Sequence, residues 1–216
     1  MPHYFLIASG INIFILFFLD IVLNKRLHRI YLRHFVFSIL AIVLLTTFFM
    51  MVPQYNQMLA WERNGGLLNS ILSIIGGLLL FDAFVYVMHR YVEHGILWRW
   101  HKYHHTLKNN NDLTYYSASM VGLEESAYYL FIQLGASVLF GMGLIETLVF
   151  VTWVMQQGAY VHQKGLPKLP WPLLSACHHR THHFKPSRYY GGLFLFWDRL
   201  NSNHDIDDRA LNGTGL

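Results

Sequence analysis

Cysteine is almost missing from this chain: Cys177 is the single one among 216 residues. One thiol excludes a disulfide framework and any cysteine-cage zinc site. Charge is scarce too. Asp, Glu, Lys and Arg make up 13% of the residues, against about 25% in an average soluble chain. With hydrophobic residues at 54%, that balance excludes a disordered chain. The net charge of +4 is small and the basic residues form no compact block, so no nucleic-acid partner is expected. Internal repeats and low-complexity linkers are lacking as well. What the chain holds in excess is histidine: 14, nearly as many as the 16 Lys and Arg together.

The apolar runs set the expected fold class. A bilayer core about 30 Å thick takes about 20 apolar residues per helix. Tyr4–Leu23, Phe35–Val52 and Leu67–Met88 are three such runs. A fourth, Ser126–Tyr160, carries Glu146 as its one charge and is too long for a single crossing. Gly141-Met142-Gly143 interrupts it, which predicts a tight hairpin of two short helices. The first run lacks a basic leader and a small-residue cleavage site, and Lys25 and Arg26 follow it, so it reads as a retained span rather than a signal peptide. The expectation is an all-α integral membrane bundle, three spans plus a helical hairpin, in a single domain 1–216.

Charge then orients the bundle. With the hairpin in place, all Lys and Arg except Arg63 fall on one side, a positive-inside pattern that puts the N-terminus outside and the C-terminus in the cytoplasm. The polar segments 89–122 and 161–216 are expected to form a cytoplasmic, His-rich cap, with a frayed tail at 203–216. The sequon Asn212-Gly213-Thr214 would be silent on that side. No dilysine signal ends the chain, which favours a bacterial inner membrane over the endoplasmic reticulum.

The histidines fall into patterned groups. His89 and His94 are spaced H-x4-H where the third span ends. His101, His104 and His105 are spaced H-x2-H-H, and His179, His182 and His183 repeat that spacing, with His178 in front. On a helix, residues i, i+3 and i+4 share one face. Each triplet therefore aims three imidazoles at one point, and two facing triplets offer six nitrogens. His89, His94 and the isolated His162 bring the set to nine, more than one tetrahedral zinc can use and suited to two metal ions sharing a pocket. His3, His28, His34 and His204 show no such pattern and read as ordinary structural or surface groups. Asp82 lies two helical turns before His89 and is the one charge inside its span, a costly placement that suggests it holds a ligand histidine. His178, one residue ahead of its triplet, suits a similar orienting role. A pH sensor would also cluster histidines but does not need this repetition.

At this point the chain resembles a known family. Asp82-x3-Tyr86-x2-His89-Arg90, then His94, Leu97-Trp98 and His101-x2-His104-His105, resemble the fatty acid hydroxylase/sterol desaturase superfamily. Ala176-Cys177-His178-His179-x2-His182-His183, then Tyr190-Gly191 and Trp197-Asp198-Arg199-Leu200, are similar to its third histidine box and closing signature. The resemblance covers residues 67–202. It implies a membrane-bound non-haem di-iron enzyme that hydroxylates or desaturates a fatty acyl or sterol-like lipid with O2 and two electrons. It also implies two iron ions held by His89, His94, His101, His104, His105, His162, His179, His182 and His183, although zinc would satisfy the same spacing. Asp82, His178 and Asp198 are candidates for orienting those ligands. No cytochrome b5-like domain is fused, so the electron donor is expected to be a separate cytochrome b5-like protein, ferredoxin or reductase.

Two departures from the pattern stand out. The first box is H-x4-H where sterol desaturases commonly have H-x3-H. Fatty acid 2-hydroxylases carry a further histidine four residues before the isolated one, where this chain has Gly158. The run His89–His105 is also similar to bacterial carotene hydroxylases, which makes a carotenoid an alternative substrate. From another class, a zinc- or copper-binding membrane transporter or sensor remains as a competing reading; it would place its ligands at the bilayer midplane.

Overall fold

The computed structural model describes residues 66–102, 104–106, 123–163 and 166–200, together with scattered positions between 9 and 47. The expected spans Tyr4–Leu23 and Phe35–Val52 lie largely outside the described residues; the positions described within them are helical. The tail 203–216 lies outside them too. Among the described residues the protein is all-helical, with one isolated antiparallel bridge, Leu173 to Phe194. The chain divides into two compact units. One comprises Met1–Phe81 and Ser119–Gln156, the other Asp82–Ala118 and Gln157–Leu216.

Helix α1, Leu67–Val87, has 21 residues, about 31 Å at 1.5 Å per residue, the thickness of a hydrocarbon core. Large apolar side chains, including Leu68, Leu72, Ile75, Leu79 and Phe84, remain exposed along it. Together with the helical segment that continues it, Leu67–Ile96 is the one described helix long and apolar enough to cross a membrane.

In the first unit, α3 (Leu123–Leu139) and α4 (Leu144–Val161) are joined by the turn the sequence suggested. Gly141 has φ 54°, the left-handed conformation that stops a helix, and two hydrogen bonds close the turn: Gly141 N–H to Val138 O (2.9 Å) and Met142 N–H to Ser137 O (2.8 Å). That pairing of a left-handed glycine with a six-to-one bond is a Schellman motif. Phe81 lies 6.5 Å from the ring of Tyr129 on α3 and 6.3 Å from that of Phe150 on α4, edge-on to the latter. Glu146 accepts a 2.5 Å hydrogen bond from the Ser70 hydroxyl. The amide of Asn12, inside the first apolar run, donates to Thr152 and accepts from Gln156, both on α4. A polar side chain in an apolar run is thereby satisfied on both its donor and its acceptor side.

The second unit contains the C-terminal part of α1, a π-helical segment Met88–Ile96, α2 (Trp98–His101), a single 3-10 turn His104–Thr106, α5 (Ala176–Phe184) and α6 (Phe196–Leu200). Its small apolar core is Val161, Leu174, Tyr189 and Leu195. The segments 172–174 and 193–195 are tied by Leu174 N–H to Leu193 O and Leu195 N–H to Pro172 O, both 2.8 Å. This unit carries every histidine of the three boxes.

Candidate metal centre

The first box gains its geometry from the π-helical segment. In an α-helix, residues five apart are rotated by about 140°, so an H-x4-H pair would diverge. Winding with i→i+5 hydrogen bonds brings residues five apart back onto one face. Leu97 N–H bonds to Val92 O at 2.8 Å, a bond of that type, and the rings of His89 and His94 are 5.0 Å apart. The extra residue relative to an H-x3-H box is absorbed by the wider turn. Gly95, at φ −108° and ψ −105°, then breaks the helix and lets the chain enter α2.

The nine histidines singled out in the sequence converge, but not as two intact triplets. They form one cluster of His89, His94, His101, His105 and His182, and a second of His104, His162, His179 and His183. Within each cluster the candidate ligand atoms lie within 4.8 Å of one another. Both triplets are split. The i and i+4 members, His101 with His105 and His179 with His183, stay together, while His104 and His182 cross to the other cluster. Residues next to each other on a helix point about 100° apart, so His104 and His105, and likewise His182 and His183, serve different centres. The clusters adjoin: the rings of His105 and His183 are 4.9 Å apart, and those of His105 and His182, which share a cluster, 4.7 Å.

The ring nitrogens face one another. Nε2 to Nε2 distances are 3.1 Å for His94–His182 and His101–His105. In the second cluster they are 3.2 Å for His104–His162, 2.9 Å for His162–His179 and 3.2 Å for His179–His183. Three tautomers are fixed from behind. Nδ1–H of His89 donates to Tyr190 O (3.0 Å), that of His162 to Gly158 O (2.6 Å) and that of His182 to Arg188 O (2.5 Å). Their Nε2 atoms are then bare lone pairs directed into the clusters. Two nitrogens held about 2.1 Å from one ion at right angles lie about 3.0 Å apart, so the donor set and its spacing fit a bound metal ion in each cluster.

Burial keeps these imidazoles neutral, the form that ligates. It pulls His162 down to about 4, against an opposing pull from the Gly158 carbonyl. It likewise drives His104, His179, His182 and His183 well below the usual histidine range, reinforced by the mutual repulsion of neighbouring rings. His101 is lowered by the same two causes.

The three orienting candidates act at different removes. Asp82 is fully buried, but its carboxylate accepts from the backbone N–H groups of Gly192 (3.2 Å) and Leu193 (2.5 Å) rather than from a histidine. Asp198 accepts from Tyr190 N–H (2.8 Å) and Gly191 N–H (3.0 Å). Both acids thus pin the loop 188–193, whose carbonyls at Arg188 and Tyr190 hold His182 and His89. Between those carbonyls sits Tyr189 at φ 56°, a left-handed conformation uncommon for a residue with a side chain. His178 belongs to neither cluster; its ring packs 5.1 Å from that of Tyr189. Gly191 permits the tight path, since a Cβ there would come within 2.3 Å of Phe194 O.

One residue of the centre went unremarked in the sequence. Glu93 is fully buried, and its Oε2 lies 3.4 Å from His101 Nδ1 and 3.9 Å from His89 Nε2. The signal was its spacing, four residues after His89 within the first box.

The fatty acid hydroxylase family matches residues 74–202. No solved structure matches the chain significantly. The matched segment is more than half of the sequence and contains all nine clustered histidines, and by that match the chain belongs to the fatty acid hydroxylase family.

Proposed function

We propose that this protein is a membrane-bound di-iron oxygenase that hydroxylates, or desaturates, a C–H bond of a fatty acyl or sterol-like lipid. The observation that carries the reading is the pair of adjoining, desolvated histidine clusters in a chain of this family. Five histidines in one cluster exceed the four ligands of a structural zinc, and neutral imidazole suits iron. The chemistry two iron ions supply there is reduction of O2 coupled to attack on an unactivated C–H bond. Hydroxylation consumes O2, two electrons and two protons and yields an alcohol and water; desaturation yields an alkene and two waters.

The chain's own residues do the rest. The nine imidazoles bind, and the carbonyls of Tyr190, Arg188 and Gly158 hold three of them in the ligating tautomer. Burial of the rings keeps water from the reacting centre. The histidines lie at and beyond the C-terminal end of Leu67–Ile96 rather than at its middle, which favours a centre near the membrane surface over a transport path. The apolar runs before residue 53 and the α3–α4 hairpin complete a multi-pass bundle in this proposal. The positive-inside charge pattern supports a cytoplasmic centre, and in this proposal the membrane is a bacterial inner membrane and a separate donor delivers the electrons. The lipid substrate enters from the bilayer.

The test is expression in a host, followed by extraction and mass spectrometry of its lipids under 18O2. A lipid carrying one 18O atom, absent with a His104→Ala variant, supports hydroxylation. A new double bond without label supports desaturation. An unchanged lipid profile from iron-loaded protein supplied with reductant contradicts the proposal.

A further inference from the structure

The nine histidines are all neutral ligands, so two divalent ions would bring a charge of about +4 into a buried centre, and uncompensated buried charge is costly. Among the described residues, three buried carboxylates lie in this unit: Asp82, Glu93 and Asp198. Asp82 and Asp198 are turned to backbone N–H groups of the loop 188–193. Glu93 is turned to the histidines. His101 directs Nε2 at His105, 3.1 Å away, which leaves Nδ1 as its rear nitrogen, and that nitrogen faces Glu93 Oε2 at 3.4 Å. His89 has its Nδ1 committed to Tyr190 O, so the nitrogen lying 3.9 Å from the same oxygen is the one that faces the metal. Both histidines belong to the five-histidine cluster. In the other cluster, the Nδ1 atoms of His104, His179 and His183 have no hydrogen-bond acceptor among the described residues, and His162 has a carbonyl.

We propose that Glu93 is the anionic positioning residue of the five-histidine site: it orients His101 from behind, offsets metal charge there, and makes that site the tighter of two inequivalent metal sites. The inference rests on the metal-centre reading given above. A carboxylate behind a ligating histidine fixes its tautomer and raises its basicity, and loss of such a partner costs about 10- to 100-fold in metal affinity. The π-helical segment that aligns His89 with His94 also carries Glu93, so one local winding supplies two ligands and the countercharge.

The experiment is titration of the metal-free full chain, in detergent, with cobalt(II), followed by its visible absorption and by elemental analysis. Wild type is expected to take up two equivalents in two distinguishable steps. Glu93→Gln, which keeps the shape and removes the charge, should weaken the first step by about 10- to 100-fold, shift its absorption bands and leave the second step in place. Glu93→Asp should recover part of the loss. His179→Ala, a change to the other site, should remove the second step and leave the first. If Glu93→Gln does not fold, Glu93→Asp carries the same expectation of one weakened step and one unchanged. Wild-type affinities and spectra in Glu93→Gln, or equal weakening of both steps, overturn the role of Glu93 while the metal centre stands. A wild-type protein that takes up no cobalt overturns the metal centre and this inference together.

Discussion

At the scale of single residues, the centre separates histidines that face one another from groups that hold those histidines in place. His182 belongs to the five-histidine cluster and His104 to the four-histidine cluster, although the sequence placed each in a triplet with members of the opposite one. Each variant, His104→Ala or His182→Ala, should therefore lower bound metal from about two per chain toward one, and both should abolish turnover; elemental analysis of purified protein measures it. Asp198→Ala tests the aiming layer. It strands the N–H groups of Tyr190 and Gly191 and should cost about 1.5–3 kcal/mol per charge-assisted bond lost, read as a lower melting temperature, with weaker binding at the site of His89. The nine histidines that cluster were legible in the sequence because their spacing follows a helical repeat. Asp82 stood out in the sequence but its partners did not, since only the folded chain shows that it accepts from the backbone of Gly192 and Leu193 rather than from a histidine. Glu93 was barely legible: its spacing four residues after His89 was the one signal, and the π winding and the burial of its carboxylate place it beside the clustered histidines.

At the scale of elements, local rules account for the parts the sequence foretold. Gly141 at the end of α3 marks the hairpin because a left-handed residue must stop the helix there. Hydropathy gives the extent of α1 because burial in lipid and burial in protein select the same residues. It does not give the partition of the chain into two compact units, which depends on which faces pack. Nor does helical spacing say how a triplet divides between two centres. The loop 188–193 is the least legible element, yet its carbonyls hold two of the clustered histidines. Gly191→Ala tests its path: the added Cβ meets Phe194 O at 2.3 Å, against backbone that cannot easily retreat. The expected outcome is a destabilisation of about 1–3 kcal/mol with reduced metal content, whereas Gly135→Ala inside α3, where a Cβ meets nothing within 4 Å, should raise stability by up to about 1 kcal/mol and leave metal content unchanged.

At the scale of the whole molecule, a set of buried neutral imidazoles ties folding to pH. Burial holds His162 at about 4 in the folded chain against an ordinary value of 6.5, and holds His104, His179, His182 and His183 well below that ordinary value too. Between those values the unfolded chain binds protons that the folded chain refuses. The stabilisation is therefore whole above pH 6.5 and is lost as pH falls toward 4. For His162 alone the loss is on the order of 3 kcal/mol across that window, a large share of the stability of one domain. Metal competes with protons for the same Nε2 atoms, so loading should hold the folded state to lower pH. The measurement is thermal unfolding in detergent at pH 7.5, 6 and 5, with and without metal. The metal-free protein should melt progressively lower across that series, and the loaded protein should resist the fall until acid strips the ions. A metal-free melting temperature that stays flat from pH 7.5 to 5 would mean that the rings take up protons without cost, and hence that the clusters are open to water rather than closed around a dry centre.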